Sequence, residues 1–297
     1  MTLSKQGESI HVTTEERPDR SRRSFLRNVS LAGAGVVGLG ALLNQIPARA
    51  NDSQANSADG AHDNACHADG EEARKSDTAI LIAAEIAEAL AVTTYTNIIN
   101  LSPFFTRIPD DDQEYLEAAR QEEMSHYLLE QSVTGEPSPF TTFFYPRDMF
   151  SDPQTTLNTL VTLEDAFIAA YLVGVRNFST RDLRVIAARI MGIESDHRTL
   201  ARVIGGDVSP LDHGPIASIT GIQGCSESIA PPNNNGYERT LGWTKIEQAV
   251  AALTLFVDMT AAKTAGFDIT KPFVFDPFTP TLPSELGAFT PIAGCPA

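Results

Sequence analysis

The strongest constraint on the fold is one pattern of residues that occurs twice in the chain. In each copy a glutamate is followed seven residues later by a tyrosine and then, after a turn, by Glu-x-x-His. The first copy consists of Glu88, Tyr95, Glu123 and His126, and the second of Glu164, Tyr171, Glu194 and His197. Residues three apart share one face of a helix, so each Glu-x-x-His pair can bind the same metal ion or adjacent ones.

Helical periodicity surrounds both copies of the pattern. Four amphipathic stretches run over about 78–100, 111–133, 153–178 and 180–204, with apolar side chains at three- and four-residue steps. Residues typical of helix ends agree with this division, since Asp152-Pro153 can start the third helix and Thr180 can cap the fourth. The sequence therefore predicts four helices that carry the repeated glutamates on their apolar faces.

Helix rise predicts that these glutamates meet. Glu88 and Glu123 each lie about 12 residues from the first turn, or roughly 18 Å along an antiparallel hairpin. Glu164 and Glu194 each lie about 14 residues, or roughly 21 Å, from the second turn. The link 134–152 can span the length of a bundle at about 3.3 Å per residue, which leaves the second and third helices parallel.

Carboxylates at one level of an apolar core require a shared cation or protonation, because burying an unpaired charge costs several kcal/mol. We therefore predict an all-α fold, a four-helix bundle of two antiparallel hairpins joined by a long crossover. The helical domain is assigned to 77–266, with its four-helix core at 78–204, a loop at 205–241 and a fifth helix at 243–265. Residues 267–297 alternate proline with phenylalanine and are interpreted as an extended tail.

This constellation resembles the ferritin-like superfamily, particularly its rubrerythrin-like and exported ferritin-like branches. The resemblance implies a dinuclear centre in which Glu123 and Glu194 bridge the two metals. It further implies that Glu88 with His126, and Glu164 with His197, are terminal ligands, without deciding which pair serves which metal. Tyr95 and Tyr171 occupy positions from which related proteins often support the ligands.

Two further glutamates lie close to this pattern. Glu85 precedes Glu88 by one turn, and could be an extra ligand, a supporting residue or a solvated end of the stripe. Glu122 could orient a ligand histidine, although an ordinary surface glutamate is the favoured interpretation. His213 has no partners in its predicted loop and is assigned no role.

The N-terminal residues indicate export. Residues 21–27, Ser-Arg-Arg-Ser-Phe-Leu-Arg, look like a twin-arginine signature, and an apolar stretch and Ala48-Arg49-Ala50 follow. We interpret 1–50 as a signal read by the twin-arginine machinery and 51–76 as a disordered linker. The expected location is the periplasm, the cell envelope or the exterior, where Cys225 and Cys295 could form a disulfide.

Charge and ligand type narrow the function. With 22 basic and 38 acidic side chains the chain repels nucleic acid, which is excluded as a partner. Carboxylate and imidazole ligands suit two iron or manganese ions, with dioxygen or peroxide as the reactant. The main hypothesis is a peroxidase-like or ferroxidase-like protein for stress protection. Three alternatives are an iron-storage homo-oligomer, a desiccation-related ferritin-like scaffold without enzymatic activity, and a manganese catalase.

Overall fold

The computed structural model describes residues 63–206 and 241–281. Its elements are helices α1 (Asp63–Leu101), α2 (Asp110–Thr134), α3 (Pro153–Asn177), α4 (Arg181–Gly206), α5 (Ile246–Val257) and α6 (Met259–Thr264), a 3-10 turn (Phe105–Arg107), and strands β1 (Thr142–Pro146) and β2 (Phe267–Val274). The predicted all-α bundle is confirmed, with one small sheet added. The signal segment, His213, Cys225 and Cys295 lie outside the described residues.

The bundle consists of two helical hairpins, α1–α2 and α3–α4. An apolar cluster at one end joins Leu81 near the start of the bundle, Tyr171 from the last turns of α3 and Leu183 from the first turn of α4, with Leu129 of α2 packed against it. Helices α1 and α4 therefore begin at this end of the bundle, and helices α2 and α3 end there. Helices α2 and α3 run parallel, as the length of the crossover predicts.

Local capping sets the helix ends. The Asp152 side chain accepts a hydrogen bond from the Thr155 amide at 3.0 Å, and Pro153 occupies the first turn of α3. Thr180 accepts from the Leu183 amide at 3.3 Å. Helix α2 stops at Gly135, whose φ of 78° is a left-handed conformation that glycine adopts without steric cost. These ends determine where along each helix the glutamates fall.

Helix α1 starts earlier than the sequence pattern predicts. It begins at Asp63, so residues 63–76, which were assigned to a disordered linker, are helical. The segment is poor in large apolar residues but contains alanine, glutamate, arginine and lysine, which favour helix once a packed helix continues from them. The Asp77 side chain links α1 to the α3–α4 turn, because it accepts a hydrogen bond from the Ser179 amide at 2.8 Å.

The segments outside the bundle also differ from the prediction. Strand β1 lies in the crossover and pairs antiparallel with β2, so residues 267–274 of the predicted tail form a strand. The predicted fifth helix is two helices, because the backbone is extended at Asp258. The Asp258 side chain caps α6 by accepting the Ala261 amide at 2.7 Å.

Two apolar clusters enclose the middle of the bundle. One contains Leu81 and Tyr171, and the other, at the opposite end, contains Tyr95, Leu116 and Ala201. A third cluster packs α1 against β1, α5 and β2. Helices α1 and α3 contain windows apolar enough to cross a membrane by composition, but 72% of each window is buried inside the bundle.

Candidate metal centre

The four helices bring the six predicted ligand residues together midway between the two end clusters. Glu123, Glu164 and Glu194 have no exposed surface. Glu88, His126 and His197 are 2%, 5% and 4% exposed. Each helix contributes these residues from its apolar face, so packing of the hairpins removes all of them from water.

These residues form two groups that could hold a metal ion. The first contains Glu88, Glu123, His126 and Glu194, and the second contains Glu123, Glu164, Glu194 and His197. Within each group the ligand atoms lie within 4.8 Å of one another. Glu123 and Glu194 belong to both groups, and the structure resolves which terminal residues share a group: Glu88 with His126, and Glu164 with His197.

Each shared glutamate divides its two oxygens between the histidines. Glu123 places Oε2 3.4 Å from His126 Nδ1 and Oε1 2.9 Å from His197 Nδ1. Glu194 places Oε1 3.3 Å from His126 Nδ1 and Oε2 3.6 Å from His197 Nδ1. A carboxylate shared in this way is suited to bridging two ions.

The atoms that face the centre make no well-aligned hydrogen bond, although imidazole and carboxylate atoms lie 2.9–3.6 Å apart. They are both oxygens of Glu123 and of Glu194, Oε2 of Glu88 and of Glu164, and Nδ1 of His126 and of His197. Native structures leave few buried polar atoms unsatisfied, so such a concentration requires an explanation. Oxygen and imidazole nitrogen converging in two groups form a donor set that fits divalent iron or manganese.

Residues 76–206 match the family model of the ferritin-like domain. The matched segment contains α1 from residue 76 onward, all of α2, α3 and α4, and both groups of predicted ligands, and the fold is a ferritin-like helical bundle. Comparisons with curated proteins and with solved structures gave no match.

Protonation equilibria in the helical bundle reflect the crowded carboxylates. Burial raises the pKa of Glu88 and of Glu164 well above its ordinary value, and the charges of Glu123 and Glu194 raise it further. Burial opposes charge on His126 and His197 as well, but the surrounding carboxylates hold the pKa of both above the usual range. Protons therefore neutralise this site whenever a cation does not, and protons and metal compete for it.

The tyrosines connect the two hairpins. Tyr95 of α1 donates a hydrogen bond to Glu164 Oε1 of α3 at 2.7 Å, and Tyr171 of α3 donates to Glu88 Oε1 of α1. Each tyrosine thus fixes one oxygen of a glutamate on the other hairpin and leaves the second oxygen facing the centre. Both tyrosines contact predicted ligands, and their supporting role stays a prediction.

Glu130 was not predicted as a functional residue. It lies four residues after His126 on the same face of α2 and is 3% exposed, and its Oε1 lies 2.6 Å from the Tyr171 hydroxyl oxygen. Burial raises its pKa well above the ordinary value. Because the Tyr171 hydroxyl has one proton and contacts two carboxyl groups, a protonated Glu130 would let Tyr171 donate to Glu88. The signal was present in the sequence as a glutamate on an apolar stripe.

Glu85 lies at the same end of the centre. It is 1% exposed, and Oε2 accepts from the Thr134 hydroxyl at 3.3 Å. Burial raises its pKa from 4.5 to about 7, and the hydrogen bond from Thr134 limits the rise. Glu85 belongs to neither metal-sized group among the described residues, and its burial is incompatible with a solvated end of the stripe.

Glu122 contacts a predicted ligand histidine, whereas the sequence favoured an ordinary surface glutamate. Its Oε2 lies 2.8 Å from His197 Nε2, while Nδ1 of the same ring faces the centre. A carboxylate behind a metal-binding histidine fixes the ring orientation and the tautomer. The position one residue before a Glu-x-x-His motif did not distinguish this role, because the partner is on another helix.

A buried ion pair adjoins the ligands on α3 and α4. Asp165 follows Glu164, Arg198 follows His197, and the Arg198 guanidinium donates to the Asp165 carboxylate. Both residues are buried. The pair holds α3 and α4 in register next to the ligands, and the sequence pattern did not indicate it because neither residue is part of the repeat.

Proposed function

We propose that this protein binds two iron or manganese ions and uses them in redox chemistry with dioxygen, peroxide or Fe(II). The observation that carries the proposal is the convergence of buried carboxylate and imidazole atoms, without well-aligned hydrogen bonds, in two groups that share Glu123 and Glu194. Each of the two groups would hold one ion. Four ionised glutamates would be neutralised by two divalent cations, which removes the cost of burying uncompensated charge.

The surroundings would adapt the site to this task. Two neighbouring iron or manganese ions supply a means of exchanging two electrons with dioxygen or peroxide. Tyr95 and Tyr171 hold the terminal glutamates, and Glu122 holds His197. Glu130 would keep a proton next to Tyr171, and the apolar clusters at both ends limit the access of water.

Metal analysis of the protein matured in its native host tests the proposal. We expect about two ions of iron or manganese per chain, the number that two four-residue groups can hold. Fewer than about one ion per chain would reject the proposed metal binding and leave the alternative of a ferritin-like scaffold.

Reaction assays then separate the redox alternatives. Oxidation of added Fe(II) would identify a ferroxidase, whereas oxygen release from hydrogen peroxide would identify a catalase. Light scattering that shows a particle of hundreds of kilodaltons would favour iron storage in a homo-oligomeric cage.

We also propose that the chain is exported by the twin-arginine pathway, which carries folded proteins and so allows metal loading before export. The supporting residues are Arg22 and Arg23, with the apolar stretch after them. Replacing both with lysine should retain the protein in the cytoplasm, as measured by cell fractionation. Lysine at Arg17 and Arg20, outside the signature, is the matched control, and export of the Arg22/Arg23 variant at the control level would reject the pathway.

A further inference from the structure

A narrow apolar pocket lies between the two hairpins at the end of the bundle where Tyr171 is located. Its cavity volume is about 30 Å³. Fifteen of its lining residues have apolar side chains or none, and the two with polar groups are Glu130 and Tyr171. Val133, at its rim, is 43% exposed, whereas Tyr171 is 6% exposed. The pocket therefore extends from the protein surface to a buried tyrosine.

Tyr171 connects this pocket with the candidate metal centre. Tyr171 lines the pocket and donates its hydrogen bond to Glu88, a residue of the first ligand group. Glu130 lines the pocket as well, and its Oε2 is buried without a hydrogen-bond partner. A molecule at the inner end of the pocket would be adjacent to the ligands of one metal.

Size and polarity restrict what the pocket can admit. A volume of about 30 Å³ exceeds the roughly 10–15 Å³ that one water-sized molecule requires, but it is too small for most organic substrates. Hydrogen peroxide and hydrated cations would lose hydrogen bonds along the apolar walls, which costs free energy. Apolar cavities of proteins instead bind apolar molecules such as xenon. The carboxyl group of Glu130 at the inner end disfavours anions.

We propose that this pocket binds dioxygen and conducts it to the metal centre, which would make dioxygen rather than peroxide the oxidant of the site. The inference rests on the proposed redox function for delivery, whereas binding of the gas is a property of the protein without metal. The residues that carry it are Tyr171 and Glu130 at the inner end and the alanines Ala84, Ala87 and Ala187 along the walls.

Binding is tested first on the metal-free protein. Dissolved dioxygen is paramagnetic and speeds the relaxation of nearby methyl protons, so NMR should show the largest effect at Leu81, Leu183 and Ile190, which line the pocket. Xenon should compete at the same methyl groups. Equal relaxation at these methyls and at buried methyls of the opposite end, such as Leu116 and Leu157, would overturn the proposal.

Delivery is tested by filling the pocket. Ala84 lines this pocket and is half-buried, so the larger side chain of Ala84→Phe should block it. Ala252→Phe is the matched control, because Ala252 is also half-buried and lines a neighbouring apolar pocket that contains neither Glu130 nor Tyr171. In protein loaded with Fe(II), Ala84→Phe should slow oxidation by dioxygen about tenfold, equivalent to about 1.4 kcal/mol of barrier. Oxidation by hydrogen peroxide should change much less.

The outcomes distinguish the two proposals. An equal decrease with both oxidants, or an equal decrease in Ala252→Phe, would overturn the dioxygen route. If the loaded wild-type protein oxidises Fe(II) with neither oxidant, the proposed function fails and the delivery role fails with it, while the NMR experiment still decides whether the pocket binds the gas. Equal metal content and equal melting temperature of the three proteins serve as the folding check.

Discussion

At one end of the candidate metal centre the Tyr171 hydroxyl contacts Glu88 and Glu130, and at the other end the Tyr95 hydroxyl donates to Glu164. The two copies of the repeated pattern place equivalent residues at these ends, so their neighbours can be compared directly. Glu85 and Glu130 at the Tyr171 end correspond to Val161 and Ala201 at the Tyr95 end. All four are buried. The Tyr171 end therefore has two extra carboxyl groups where the Tyr95 end has aliphatic side chains.

The carboxylates that contact the histidines from outside the two groups also differ, and here the extra carboxylate is next to His197. Glu122, one residue before the first Glu-x-x-His, contacts His197 of the second group. The equivalent position in the second motif is Ile193, which has no side-chain group that could accept a hydrogen bond. The repeat thus preserves the ligands and lets their surroundings diverge. The Tyr171 end therefore has additional carboxyl groups and an apolar pocket, whereas at the other end a carboxylate contacts His197.

The largest expected effect comes from a residue that both ends share. Glu123→Ala should remove both metals, because Glu123 belongs to both groups. Glu88→Ala should weaken binding of one ion more than the other. Exposed Glu117 on the same helix provides the control Glu117→Ala. Metal content per chain after equilibrium dialysis is the measurement, and full occupancy in Glu123→Ala would mean that the site is misplaced.

Replacing each tyrosine with phenylalanine tests the contribution of one end of the centre at a time. Tyr95→Phe leaves Glu164 Oε1 without its donor, which should lower the free energy of unfolding of the metal-loaded protein by about 1–3 kcal/mol. Tyr171→Phe should lower it more, since Glu88 and Glu130 both lose their contact. Urea unfolding measures both, with Tyr115→Phe, 63% exposed, as control. Equal losses would indicate that Glu130 adds nothing to the Tyr171 end.

A substitution of Glu122 tests the end of the centre where His197 is located. Glu122→Ala removes the carboxylate behind His197 and should weaken binding of the ion in the second group about tenfold, the low end of the range for such partners because Glu122 is partly exposed. Ile193→Ala is the matched change at the other motif and should leave the affinities nearly unchanged. Competition with a chelator of known affinity gives both values, and equal effects of the two substitutions would remove this difference between the ends.

The smallest effect concerns pH. The pKa of Glu85 is about 7 in the folded protein against 4.5 ordinarily, so the folded state binds its proton more tightly than the unfolded state does. The contribution of Glu85 to stability is therefore full below pH 4.5 and is lost as the pH rises towards 7. Glu85→Gln should flatten this fall in the free energy of unfolding of the metal-free protein between those pH values. Glu117→Gln, at an exposed position, should leave it unchanged, and an unaltered slope in Glu85→Gln would contradict the assignment.

The sequence by itself determined the four helices and the level at which Glu88, Glu123, Glu164 and Glu194 meet. These properties follow from local regularities, since helix rise and side-chain periodicity depend only on spacing along the chain. The same regularities selected His126 and His197. The start of α1 was predicted too late because residues 63–76 lack the apolar stripe by which a helix is recognised.

Only the tertiary structure decided which residues meet across the hairpins. It paired Tyr95 with Glu164, Tyr171 with Glu88 and Glu130, and Glu122 with His197. It also joined β1 to β2 over more than a hundred residues of chain and left an apolar pocket beside Tyr171. Helical periodicity determines which face a residue occupies, whereas the partner of that face depends on how the hairpins dock, which the packing of the whole bundle determines.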